Sequence, residues 1–118
     1  MKRILITVCT LFVALSMPLA AEKVEGYLVD KMCSAKVLKG GEDAAKAHTK
    51  DCALMPNCKS SGFGVVTADG KFIKFDKQGD GMAVDMLGWE STNKENIQAT
   101  VNGKVEGDTI AVIALQLH

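Results

Sequence analysis

Three cysteines and one histidine are the residues whose types and spacing could do chemistry in this sequence. Cys33, His48, Cys52 and Cys58 lie close together along the chain. Three thiolates and one imidazole form a ligand set that zinc occupies in tetrahedral structural sites, and soft sulfur ligands also suit copper(I). The spacing H-x3-C-x5-C differs from a pair of CxxC knuckles, but one metal ion can span it. The cluster therefore predicts a metal site for zinc or copper.

A helix is predicted to position two members of this cluster. The run GEDAAKAHTKDCAL, which follows a break at Gly40-Gly41, has acidic residues in its first turn. Residues four apart project from the same face of a helix, so His48 and Cys52 would face one ligand together. Cys33 is expected to approach from the end of a preceding strand.

Two methionines flank the cluster. Met32 adjoins Cys33, and Met55 lies between Cys52 and Cys58. Their thioethers favour copper over zinc, although packing is the commoner role of methionine.

Residues 1–20 have the pattern of a cleavable secretory signal. Lys2 and Arg3 precede an apolar run, ILITVCTLFVAL, that is too short to span a bilayer, and Ala20-Ala21 offers a cleavage point. The expected product is one small domain, residues 21–118, located in the periplasm or secreted. It retains three of the four cysteines, because Cys9 leaves with the signal.

Export makes a disulfide the main alternative to a metal. Pairing Cys52 with Cys58 closes a loop of about 7 residues, and pairing Cys33 with Cys58 closes one of about 26. The chain-entropy estimates, about 2.4 and 3.5 kcal/mol, are too similar to choose between the two pairings. One disulfide leaves one thiol over, so the sequence keeps both readings open: a metal site, or a disulfide-stapled domain that recognises a small molecule, peptide or glycan through residues 31–61.

Other classes of function are disfavoured. Cys33 or Cys52 with His48 is the only nucleophile–base pair in residues 21–118, and no phosphate-binding glycine motif, GxSxG or HExxH sequence accompanies it. A non-enzymatic role is therefore favoured. Residues 21–118 carry 12 basic and 14 acidic residues, which argues against general nucleic-acid binding. No further apolar run after the signal reaches transmembrane length.

The elements that must hold the cluster are mainly strands. A first strand is predicted over Val24–Val29, and GFGVVT with KFIKFD forms a hairpin around Ala68-Asp69-Gly70. A helix follows, which Asp80 is expected to cap and Gly88 to end. The segment NIQATVNGKVEGDTIAVIALQL predicts two further strands, with a bulge or bend at Gly103.

This order of elements predicts a mainly β, α+β fold. It suits a small five-stranded, OB-like antiparallel barrel with a helical Cys/His insertion after strand one and a helix between strands three and four. A split sheet packed on two helices is the competing fold. The strand aromatics Tyr27, Phe63, Phe72 and Phe75 are expected to pack in the core.

Four segments together resemble a family of small exported bacterial proteins of uncharacterised function. They are GYLVDKMC (26–33), HTKDCAL (48–54), Cys58 with SGFGV (61–65), and VNGKVEGDTIAV (101–112). The resemblance covers nearly all of residues 21–118 in the same order. It implies an exported, OB-like barrel whose pattern includes Cys33, His48, Cys52 and Cys58, and it implies no particular activity.

Overall fold

Five strands and four helices lie in residues 21–118, the part of the chain that the computed structural model describes. The predicted secretory segment, residues 1–20, lies outside the described residues. The elements are β1 (Glu22–Asp30), α1 (Lys31–Ala47), α2 (Lys50–Ala53), α3 (Pro56–Ser61), β2 (Phe63–Val66), β3 (Phe72–Phe75), α4 (Lys77–Leu87), β4 (Gln98–Glu106) and β5 (Thr109–Leu117). Within this range no helix combines the length and the apolar run that crossing a bilayer requires.

The five strands close into a barrel in the order β1-β2-β3-β5-β4. Closure depends on β1, whose last residues pair with β2 and whose first residues pair with β4. The predicted OB-like barrel is therefore confirmed, as are the hairpin β2–β3 and the helix between strands three and four. One pairing differs from an all-antiparallel barrel: β3 and β5 pair in parallel through a short contact at Lys74 and Phe75.

Two glycines allow the barrel strands to approach closely. A Cβ atom at Gly26 would lie 2.3 Å from the carbonyl oxygen of Val66, and one at Gly103 would lie 2.1 Å from that of Ala111. The register of β4 against β5 shifts between Asn102 and Gly103, which confirms the predicted bulge. Only glycine fits these positions without moving the neighbouring backbone.

The core has two parts. The larger cluster fills the barrel and includes Phe63, Phe75 and the buried face of α4, which confirms the predicted core packing of these two aromatics. The smaller cluster lies between α1 and the outer face of the barrel, and Tyr27 and Phe72 pack against it half-buried. This second cluster fixes α1 on the barrel, and α1 carries the first cysteine at its start.

Asp80 does not cap α4 as the sequence predicts. The capping residue is Asp76, whose Oδ1 accepts hydrogen bonds from the backbone N–H of Gly79 at 2.9 Å and Val112 at 3.2 Å. An aspartate directly after β3 lets the helix begin earlier, and Gly88 ends it as predicted. Asp80 instead accepts from the N–H of Phe63 at 2.9 Å.

We expect Asp80→Ala to destabilise the fold by about 1–2 kcal/mol, because the N–H of Phe63 loses its acceptor in a buried position. The change also breaks a half-buried ion pair with Lys74, 2.9 Å apart. Urea denaturation measures the loss. The control is Glu106→Ala, which removes an exposed pair with Lys104 at 3.2 Å and should cost less than about 0.5 kcal/mol. Equal losses in the two variants would contradict the assignment.

Candidate metal centre

The junction of β1 and α1 positions the first thiol of the cluster. Asp30 ends β1 and caps α1, with its Oδ2 accepting a hydrogen bond from the N–H of Cys33 at 3.0 Å. Its side chain is fully buried. Aspartate is a preferred capping residue because its carboxylate satisfies a free N–H of the first turn. This cap fixes Cys33 directly beside the Asp30 carboxylate.

The single helix predicted over residues 41–54 is wrong. Gly41 has φ +74°, so α1 kinks at the predicted glycine break, and the helix then ends at Ala47. His48 and Thr49 are extended, and the Thr49 Oγ1 caps α2 by accepting from the N–H of Cys52 at 3.1 Å. A threonine side chain that bonds the backbone in this way competes with continuation of the helix.

The turn between α1 and α2 nevertheless brings the predicted residues together. The ligand atoms of Cys33, His48 and Cys52 all lie within 4.8 Å of one another. A second group with the same spacing contains Asp30, Cys33 and Cys58. The four predicted residues thus form two overlapping groups that share Cys33. Asp30 is an additional member that the sequence did not suggest.

The spacing of the first group fits a tetrahedral ion. Donor atoms at the usual zinc–nitrogen and zinc–sulfur distances lie roughly 3.3–3.8 Å apart around one zinc. The 4.8 Å limit of the group exceeds this separation by about 1 Å, which small side-chain rotations cover. The donor set of sulfur and imidazole nitrogen suits zinc and copper(I).

A buried hydrogen bond orients the imidazole. The His48 Nε2 lies 2.8 Å from Asp30 Oδ1, and both side chains are buried. When Nε2 carries the proton and donates it to the carboxylate, Nδ1 keeps a lone pair that can bind a metal. A carboxylate that holds the outer nitrogen of a ligating histidine is a recurrent feature of zinc sites.

The protein environment keeps Cys33 protonated when no metal is bound. Burial raises the pKa of its thiol to about 12, and the neighbouring Asp30 carboxylate contributes in the same direction. Burial and Asp30 also raise the pKa of Cys58. A nucleophilic cysteine requires a lowered pKa, so this environment disfavours Cys33 and Cys58 as nucleophiles. A bound cation reverses the effect, because it stabilises the thiolate directly.

All three cysteines of residues 21–118 are free thiols in the structure. Cys33 lies in one group with Cys52 and in the other with Cys58, whereas Cys52 and Cys58 belong to different groups. The sequence suggested two disulfides, Cys52–Cys58 and Cys33–Cys58. The sulfur atoms of Cys33 and Cys58 lie within 4.8 Å of each other.

Core packing does not account for the two flanking methionines. Met32 is 57% exposed and Met55 is 55% exposed. Their side chains therefore lie at the surface beside Cys33 and at the start of α3, which contains Cys58.

The chain was compared with protein-family models, with curated proteins and with solved structures, and no significant match was found in any of the three comparisons.

Proposed function

We propose that this protein is an exported, non-enzymatic β-barrel module that binds one transition-metal ion, zinc or copper(I). The proposal assigns Cys33, His48 and Cys52 as ligands and gives Cys58 the fourth position. The observation that carries it is the convergence of the first three ligand atoms within 4.8 Å of one another. The signal pattern of residues 1–20 supports export.

Asp30 and the barrel both support the proposed ligands. Asp30 holds His48 through Nε2 and caps the helix that carries Cys33, so one buried carboxylate orients two ligands. The barrel supplies a fixed support, since β1 leads directly into α1. Metal binding then joins α1 and α2 across the His48–Thr49 turn. It stabilises the connection between the first two strands in the way that structural zinc stabilises small domains.

The affinity for zinc is expected to rise with pH. Raised pKa values keep the thiols of Cys33 and Cys58 protonated through neutral pH in the metal-free protein. Binding as thiolates must therefore release these protons, so affinity increases up to about tenfold per pH unit for each thiol released. Competition with a chromophoric chelator at pH 6, 7 and 8 measures this slope.

A matched variant identifies the thiols that contribute. In Cys58→Ser, metal binding releases one proton fewer. The slope of the logarithm of the affinity against pH is therefore expected to be smaller by about one than in the unchanged protein. An affinity independent of pH, after correction for protonation of the chelator, would contradict thiolate coordination.

A second candidate is a disulfide-stapled interaction domain, favoured by the proximity of Cys33 to both other thiols. In an oxidising compartment one pair could form a disulfide and leave one thiol over. Titration with a thiol reagent, without reductant, separates the two functions. A metal site protects all three thiols until a chelator is added, whereas a disulfide leaves one thiol reactive from the start.

A further inference from the structure

A cleft of about 750 Å³ opens between α1 and the outer face of the barrel. None of the four proposed metal ligands lines it. Its walls come from α1, from β1, from the turn that joins β2 to β3, and from the start of β4 with His118. The cleft is therefore distinct from the cysteine cluster.

The floor of the cleft is apolar. Val37, Ala45 and Val66 line it and are themselves buried, and Leu38 and the half-buried ring of Tyr27 extend the apolar surface towards the rim. A cleft of this volume with an apolar floor is of the size that small organic molecules occupy.

The kink in α1 shapes one wall of the cleft. Gly41 lines it with φ +74°, and no heavy atom lies within 4 Å of the position that a Cβ atom would take there. An uninterrupted helix would not change direction at this point. The helix therefore changes direction at a residue that lines the cleft.

The charged groups of the cleft are acidic. Glu25 and Glu42 line it, and no lysine or arginine does so. Both carboxylates pair with lysines outside the lining, at 3.2 and 3.4 Å, but these ion pairs are exposed and therefore weak. The remaining titratable group, His118, has its Nε2 within 2.8 Å of Thr100 Oγ1.

Tyr27 links the apolar and acidic parts of the cleft. Its hydroxyl group lies 3.5 Å from the Glu42 Oε1. An aromatic ring beside a carboxylate attracts organic cations, because the ring face and the carboxylate both carry negative potential.

We propose that this cleft binds a small organic cation with an apolar body, such as an aryl-alkyl amine. The apolar part contacts Val37, Leu38 and Val66, and the ammonium group lies between the Tyr27 ring and the carboxylates of Glu25 and Glu42. Charge complementarity selects cations over anions of the same size, and the buried floor supplies most of the contact area.

The test uses ¹⁵N-labelled protein expressed from the full 118-residue sequence and titrated with three soluble probes. Phenethylammonium, 2-phenylethanol and phenylacetate share an aryl-alkyl body and differ in charge. We expect phenethylammonium to shift the amide resonances of cleft residues, including Gly26, Gly41 and Gly70, in a saturable way at millimolar concentration. The neutral alcohol, which loses the attraction of both carboxylates, should bind about tenfold more weakly, and phenylacetate more weakly still.

Charge variants complete the experiment. Replacing both Glu25 and Glu42 with glutamine is expected to weaken phenethylammonium binding by about tenfold, at about threefold for each carboxylate. Glu106→Gln is the matched control, since Glu106 forms a similar exposed pair with Lys104 at 3.2 Å outside the cleft, and it should leave binding unchanged. Equal or tighter binding of phenylacetate, shifts that map elsewhere, unchanged affinity in the double variant, or no saturable shift would each overturn the proposal.

Discussion

Replacing Cys33 with serine is expected to weaken zinc binding by about 100-fold or more. Cys33 belongs to both groups of ligand atoms that lie within 4.8 Å of one another. A metal ion bound by either group therefore has Cys33 as a ligand. Structural zinc sites bind with about 10–16 kcal/mol in all, and an equal division among four ligands assigns roughly 2.5–4 kcal/mol to each. That energy corresponds to a change in affinity of roughly 70- to 900-fold. Competition with a chromophoric chelator under reducing conditions measures it.

Met32→Leu is the control for this experiment. Met32 adjoins Cys33 and is exposed, and zinc does not favour a thioether ligand. The variant should therefore bind zinc as tightly as the unchanged protein does. The account of the site is contradicted if Cys33→Ser keeps zinc affinity within about threefold of the unchanged protein.

Asp30→Ala is expected to destabilise the metal-free protein by about 3 kcal/mol. The change removes the cap of α1, which lowers the free energy of unfolding by about 1 kcal/mol. It also leaves the buried His48 Nε2 without its partner at 2.8 Å, which lowers the free energy of unfolding by about 1–3 kcal/mol more. In a domain of this size the midpoint of thermal unfolding should fall by about 12–20 °C. Thermal and urea unfolding with chelator and reductant present measure both values.

Thr49→Ala separates the two contributions of Asp30. Thr49 caps α2 through one backbone hydrogen bond, from Cys52, and its side chain makes no hydrogen bond to an ionisable side chain. Its loss should cost about 1 kcal/mol. If Asp30→Ala is no more damaging than Thr49→Ala, the carboxylate–imidazole contact contributes nothing to folding, and the positioning role of Asp30 loses its support.

The barrel was predictable from local patterns. Alternating apolar residues and glycine-containing turns mark β2, β3, β4 and β5, and the order of elements then favours an OB-like closure over the split sheet. Gly103 was predictable as a bulge because glycine inside a strand usually marks an irregularity or a close backbone approach. The parallel contact of β3 with β5 was not, since it depends on how the closed barrel brings distant strand ends together.

The helices were harder to place because several residues compete for the same capping role. Asp76 and Asp80 are both suitable caps, and the earlier one is used. Thr49 divides the predicted helix of residues 41–54 because its side chain bonds to the backbone of the next turn. The first half of α1 contains lysines and leads into two glycines, so its helical character was not apparent from periodicity.

The members of the cysteine–histidine cluster were predictable from their residue types, but the carboxylate that contacts them was not. Residue chemistry alone pointed to the three cysteines and His48 without any knowledge of the fold. Asp30 had one local signal, as an aspartate three residues before Cys33 at the end of a predicted strand, a position typical of a helix cap. Its burial and its contact with His48, 18 residues away, depend on the tertiary structure.

Native mass spectrometry of the protein, expressed from its full sequence and purified without chelator, tests the proposed metal site most directly. One intact mass reports bound metal and disulfide formation together. The account predicts a mass that includes one zinc or copper ion, and the loss of that ion in His48→Ala. A metal-free mass two hydrogens lighter than the fully reduced chain would contradict it, and would identify a disulfide as the native state of the cluster.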